Sequence, residues 1–201
     1  MEDVMRLFRK KRLPYEYQVE IVANQFTKDE LQNLMREYDL TATELNLVGN
    51  AFRSMDNLKL AERTFKKSIS KDKGYDEPYG NLLSLYCLQK RYDEGRALLD
   101  DALKHVRKRS FVWYHFGRMC VLSGDYSSAV DAAYAALKDE NYEFEAAYEL
   151  GVRALLARIG QNKSENPEKD VEDAYALLTA GLSKFPDSAE LKELAEVFED
   201  D

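Results

Sequence analysis

Gly49, Gly117 and Gly151 stand 68 and then 34 residues apart, and Leu83 fills the place midway between the first two. No other feature constrains the fold of this chain so strongly, because self-similarity at a fixed period fixes the architecture before any single segment is read. The neighbours keep the same step. Four residues before each of these places come Leu45, Tyr79, Trp113 and Ala147; one before come Val48, Leu82, Phe116 and Leu150; three after come Phe52, Tyr86, Cys120 and Ala154. Twelve residues after the first three places come Ala61, Gly95 and Ala129, followed by Phe65, Leu99 and Ala133, then by Ser68, Ala102 and Ala136.

Apolar spacings of three and four describe a stripe along a helix. Each period therefore holds two helices, with a small residue on each that lets the backbones approach. Met55-Asp56-Asn57 and Ser123-Gly124-Asp125 are the turn signals between them. A single hairpin of this kind cannot bury its apolar face, so successive hairpins must stack. Four prolines and nine glycines are few for a many-stranded fold, and 45% hydrophobic with 33% charged residues suits one folded domain or solenoid of 201 residues.

The arrangement W/Y-x-x-L-G-x-x-Y followed by A-x-x-x-F-x-x-A resembles the tetratricopeptide repeat (TPR). The resemblance implies an all-α α-α superhelix, a solenoid of antiparallel helix pairs with N- and C-terminal capping helices. Repeats fall at 42–75, 76–109 and 110–143, the third carrying Trp113-Tyr114-His115-Phe116-Gly117. A fourth, 144–187, opens with Phe144 and Tyr148-Glu149-Leu150-Gly151, but its second helix arrives late. Its alanine place is expected at 163 and is met by Ala174, with Leu178, Gly181 and Pro186 following, so eleven residues are inserted within 158–170. Gly160 to Pro167 contains no apolar residue between its ends and reads as an exposed loop, with Asn166-Pro167-Glu168 restarting a helix.

The ends depart from the repeat. Residues 1–41 read as an N-terminal helical cap or, equally, a degenerate repeat. Two capping boxes, Thr27-x-x-Glu30 and Thr41-x-x-Glu44, divide it into helices near 15–25 and 28–38 before the first repeat helix. A short amphipathic helix containing Val4, Met5, Leu7 and Phe8 precedes Pro14. Residues 188–201 form a C-terminal capping helix and acidic tail, with Leu191, Leu194, Ala195 and Phe198 as its apolar stripe.

Charge and motif content narrow the function. The net charge of −8 disfavours binding to a phosphate backbone. The basic Arg6, Arg9, Lys10, Lys11 and Arg12 read as a solvated face. The sequence has no 20-residue apolar span and no apolar stretch of signal-peptide type behind the basic start, so a cytoplasmic location is expected. Two histidines, His105 and His115, come without HExxH, HxH or CxxC spacing, so no metal site is expected. Cys87 and Cys120, in apolar helical patterns, read as small buried residues. No GxxxxGK or GxGxxG loop supports nucleotide binding. An enzyme is not expected, and neither is a cofactor.

The family resemblance implies that the first helix of each pair lines a concave groove that binds another protein through an extended or helical peptide segment. Carried over place by place, the groove residues include Asn46, Asn50 and Arg53 in the first repeat, Phe111, Tyr114 and Arg118 in the third, and Tyr148 in the fourth. Asn50 and Asn81 match the two asparagines with which one subclass clamps the carboxylate of chaperone tails. Asn46, Phe111 and His115 stand where that subclass has cations, so the charge-assisted part of the clamp is missing. The leading expectation is an adaptor or chaperone-like protein. The alternative is a structural subunit of a larger complex, a type III secretion chaperone-like role included, docking through its convex face or the 158–170 insertion.

Overall fold

The computed structural model describes residues 11–138 and 144–198. The amphipathic segment expected around Val4, Met5, Leu7 and Phe8, the basic Arg6, Arg9 and Lys10, and the acidic Glu199, Asp200 and Asp201 lie outside the described residues. Within them the structure is all-α: α1 (Tyr15–Val22), α2 (Lys28–Glu37), α3 (Ala42–Ser54), α4 (Leu58–Lys71), α5 (Glu77–Leu88), α6 (Tyr92–Ala102), α7 (Arg109–Ser123), α8 (Tyr126–Leu137), α9 (Glu145–Gly160), α10 (Pro167–Lys184) and α11 (Ala189–Glu196). Contacts divide the chain into two units, Met1–Leu82 and Leu83–Asp201.

In the N-terminal unit α3 and α4 form a tight pair, with α1 packed on α3. Both capping boxes close. The Thr27 and Thr41 hydroxyls accept from the Glu30 and Glu44 amides at 3.4 and 3.2 Å, while each glutamate accepts from the threonine amide at 2.7 Å. Ile21, Leu31, Val48, Phe52 and Phe65 fill the core and are almost wholly buried. The pair closes at Gly49, where a β-carbon would lie 2.5 Å from the Phe65 ring. A side chain there would force the helices apart.

The C-terminal unit repeats the theme in the pairs α7–α8 and α9–α10, with α8 packed on α9 and α11 on both α9 and α10. At Gly151 a β-carbon would stand 2.7 Å from a Leu177 methyl. The pair that begins with α5 solves the same problem the other way round. Its first helix carries Leu83 in the glycine place, and the small residue is Gly95 on α6, where a β-carbon would meet Met119 Sδ at 2.3 Å and a Leu83 methyl at 3.6 Å.

The fourth pair carries the expected loop and also lengthens the helices on either side of it. Gly160 ends α9 and Pro167 begins α10, so only 161–166 connect them. Measured from the repeat positions, α9 runs nine residues past Gly151 where α7 runs six past Gly117, and α10 starts seven before Ala174 where α8 starts three before Ala129. The connection is six residues where the α7–α8 turn has two. The eleven extra residues are thus three, four and four in α9, loop and α10. Asn166 caps α10 by accepting from the Lys169 amide at 3.1 Å, and Pro167 occupies the first turn, where its missing N–H costs nothing.

The hairpin turns share a backbone device that their sequences do not display. Asn24, Asp56, Lys90, Gly124 and Asn162 all adopt positive φ, from 53° to 77°. The residue after each donates its amide back across the turn: Gln25 to Glu20, Asn57 to Phe52, Arg91 to Tyr86, Asp125 to Cys120 and Lys163 to Arg158, at 2.8 to 3.0 Å. This left-handed closure satisfies carbonyls that the helix end would otherwise leave open. Asp56, Lys90 and Gly124 keep the 34-residue step. Lys90 has neither the freedom of glycine nor the local hydrogen bonding of Asp or Asn, and holds φ at 57°. Lys90→Gly should therefore raise unfolding stability by about 1 kcal/mol in chemical denaturation. An unchanged or lower stability would show that the turn carries no strain.

Candidate functional site

In the N-terminal unit, α3 presents Asn46, Asn50 and Arg53 on one face, and α5 begins with Glu77 and carries Asn81. All of these but Asn50 join in a hydrogen-bonded line. Arg53 Nη1 donates to Asn81 Oδ1 at 3.2 Å, Asn81 Nδ2 donates to Asn46 Oδ1 at 2.9 Å, and Asn46 Nδ2 donates to Glu77 Oε2 at 2.8 Å and to Tyr75 Oη at 3.3 Å. The Tyr75 hydroxyl itself donates to Glu77 Oε2 at 2.5 Å. Burial, and then the Glu77 carboxylate, push the Tyr75 phenol well above its usual range, which keeps it a donor. Asn46 is only 1% exposed and has both ends of its amide engaged within the protein. Asn50 Oδ1 is shielded and makes no hydrogen bond. Arg53 is half-buried, and this desolvation lowers its guanidinium pKa from the usual arginine range; its bond here is to an amide. Asn46, Arg53 and Asn81 are thus brought together, largely through one another, and Asn50 stands outside the line.

In the C-terminal unit, α7 carries an aromatic row. Phe111 meets His115 edge-on at 4.5 Å between centroids, His115 meets Tyr114 at 5.3 Å, and Tyr114 meets Phe144 at 4.9 Å. The Ser84 hydroxyl lies 3.2 Å from His115 Nδ1 and fixes the imidazole. One turn on from Tyr114, the Arg118 guanidinium rests 5.7 Å from the Tyr114 centroid. Beside this row, α7 and α9 bound an open cleft of about 200 Å³, lined by Tyr114, Arg118, Val121, Leu122, Glu149, Leu150 and Arg153. Leu122 is 67% exposed. Burial raises the Cys87 thiol pKa while the Arg118 charge pulls it down; Cys120, fully buried, is pushed up to about 12, foremost by burial. Neither thiol is a ready nucleophile at neutral pH.

Tyr148 lies elsewhere. It is 8% exposed, its ring is 6.2 Å from Phe185, and its β-carbon packs against Gly181 of α10. The next two groove places, Val152 and Leu155, are fully buried. The face of α9 that carries them meets α10 and α11, so Tyr148 belongs to the interior. Leu122, Glu149 and Arg153, by contrast, were not among the residues expected from sequence. They sit one place beyond the positions carried over from the family and line the cleft between α7 and α9.

The 158–170 insertion is fastened down. Arg158 holds Asp170 through two hydrogen bonds, the Nε–Oδ2 distance being 2.8 Å, and reaches Ser127 Oγ at 3.4 Å. Lys163 Nζ donates to the Gly124 carbonyl at 2.8 Å, at the C-terminus of α7, where the helix dipole favours a cation, and lies 5.1 Å from the Tyr126 ring centre. The Asp170 side chain is only 7% exposed. Burial would raise its pKa, but hydrogen bonds from Arg158 outweigh it and hold the carboxyl below the usual 3.8. A depressed carboxyl contributes stability above the unfolded pKa and loses it as pH falls through the folded one. Asp170→Asn should therefore cost about 2 kcal/mol at pH 7, because Arg158, 19% exposed, loses the carboxylate that accepts its two hydrogen bonds. The gap between variant and wild type should narrow as pH is lowered below about 4. Denaturation midpoints at pH 7 and pH 3 measure both effects, and equal stability at pH 7 would mean that the clasp is idle.

Among the described residues no group of three or more His, Cys, Asp or Glu side chains could hold a metal ion, and no helix is long and apolar enough to cross a membrane. No family model matches the sequence, and no curated protein matches it. Solved structures match its fold. The C-terminal part of a TPR repeat-containing protein from Cytophaga hutchinsonii aligns with 92% of this chain and 74% of its own, at TM-score 0.63 and 16% identity. A crystal structure of MamA aligns over 76% of this chain and 87% of its own, at 0.55 and 16%. PilF of Pseudomonas aeruginosa aligns over 87% and 90%, at 0.53 and 17%. At such identities the likeness is one of fold: this chain is an all-α array of helical hairpins of the tetratricopeptide-repeat type.

Proposed function

We propose that the chain is a protein-interaction module, an adaptor or chaperone-like protein of the cytoplasm, that holds an extended or helical segment of a partner against the first helices of its pairs. Its working units are the repeats at 42–75, 76–109, 110–143 and 144–187, with capping helices on either side. The observation that carries the proposal is the α7–α9 cleft, where Leu122 stands 67% exposed beside Tyr114 and two arginines. An aromatic ring, an aliphatic side chain and arginine are the residue types that anchor protein interfaces. The fold supports the same reading, since stacked hairpins leave one face of each first helix outside the packed pair. Asn46 and Tyr148, being interior, support the surface from behind, and Asn50, Arg53, Asn81, Phe111, Tyr114 and Arg118 remain as contacts.

A second reading has its own observation. The outer face of α10 exposes Val171 and Tyr175, one turn apart, at 44% and 58%. Such a face suits a structural subunit that docks through its convex side or the insertion. The two readings separate in one experiment, affinity capture from native lysate with quantitative mass spectrometry. The groove reading expects a partner lost on Tyr114→Ala with Leu122→Ser and retained on Val171→Asp with Tyr175→Asp, both variants melting as the wild type does. The reverse pattern supports docking, and capture unaffected by the first pair sinks the groove assignment.

A further inference from the structure

The charges around the α7–α9 cleft do not cancel. Arg153 is paired with Glu149 on α9 at 2.8 Å. Arg118, on the α7 side, is exposed and has no carboxylate partner among the described residues; its neighbour there is the face of Tyr114. With Arg153 neutralised by Glu149, the cleft carries one uncompensated positive charge, on a chain whose net charge is −8. The remaining lining is apolar, formed by Tyr114, Val121, Leu122 and Leu150.

Size narrows the ligand further. A volume of about 200 Å³ falls below the roughly 300–1,000 Å³ of small-molecule sites and suits a single inserted side chain. Charge then selects between anions. A carboxylate matches the one free guanidinium, which can grip it through two parallel N–H donors. A phosphoryl group brings a charge of about −1.5 to −2, in excess of the one uncompensated cation and against the Glu149 carboxylate in the same lining.

We infer that this cleft takes a partner segment in which a large apolar side chain stands beside a carboxylate, the apolar group seated on Tyr114, Leu122 and Leu150 and the carboxylate paired with Arg118. This rests on the groove reading above and gives its ligand a chemistry. Tyr114 has a double part in it, since its ring forms one wall and also holds the guanidinium at the rim, so little side-chain freedom is lost when the carboxylate arrives.

The test uses the full chain, isotope-labelled for amide NMR, and three short capped peptides in a Gly-Ser background carrying Leu-Phe-Asp, Leu-Phe-Asn or Ala-Ala-Asp. Leu-Phe-Asp should shift the amides of Tyr114, Leu122 and Glu149. The other two peptides should bind at least about tenfold more weakly, as expected when a charge-assisted contact or an anchor is removed. Arg118→Gln should weaken Leu-Phe-Asp by the same factor and leave Leu-Phe-Asn unchanged, Arg118→Lys should retain part of the preference, and Glu149→Gln should strengthen the acidic peptide. Equal affinities for Leu-Phe-Asp and Leu-Phe-Asn, or a preference untouched by Arg118→Gln, overturn the inference while leaving the groove reading to the capture experiment. Shifts confined to other helices, or no binding at about 1 mM, overturn it as well.

Discussion

The structure depends on how closely the two helices of each pair can approach. At Gly49 the ring of Phe65 occupies the space that any β-carbon would need, and at Gly151 a Leu177 methyl does the same. Where Leu83 stands in the glycine place, the small residue is Gly95 on the opposite helix, and the space it leaves is filled by Met119 of α7. Core density near that of a crystal leaves no slack for two large residues at one crossing. The remaining periodic positions follow from this contact, because a fixed crossing decides which face of each helix is buried and which is left for other work.

That division of faces explains why the two halves of the expected binding surface differ in kind. On α3 the available face carries amides, and buried amides must find partners. Asn46 and Asn81 find them in each other, in Glu77 and in Arg53, so the line is already internally satisfied. On α7 the face carries rings, which pack edge-to-face along the helix and leave the α7–α9 cleft open beside them. Polarity draws the first surface inward, and shape leaves the second outward.

Much of this was legible in the sequence, and the exceptions have physical causes. The 34-residue step, the threonine–glutamate caps and the Asn166-Pro167 restart are statements about local chemistry, and the side chains themselves carry them. The shared turn is different. Asp56 and Gly124 fall in turns that residue type displays, but Lys90 shares only their backbone conformation, so a reading by residue type passes over it. Tyr148 occupies a groove place by spacing, yet α10 and α11 cover its face of α9, which spacing within one helix does not reveal. Leu122 follows Val121 in an apolar stretch, and its residue type alone does not reveal that it stands 67% exposed at the cleft. The polar stretch between Gly160 and Pro167 marks the connection in the sequence, but that the insertion also lengthens both flanking helices, with Arg158 and Asp170 fastening them through an ion pair, is not visible in composition.

In a stack of hairpins, stability is carried by each hairpin and by its contacts with its nearest neighbours, so an array tends to fray from its ends one hairpin at a time. The lengthened fourth hairpin alters that expectation locally. Through Lys163 on the Gly124 carbonyl and Arg158 on Ser127 it grips the turn of the hairpin before it, in addition to the ordinary packing of α8 on α9. These contacts tie the last two hairpins to each other at the turn as well as along the helices. Amide protons at the α7–α8 turn should exchange together with those of α9 and α10, instead of earlier, and the cleft formed by α7 and α9 keeps both its walls for as long as those ties hold.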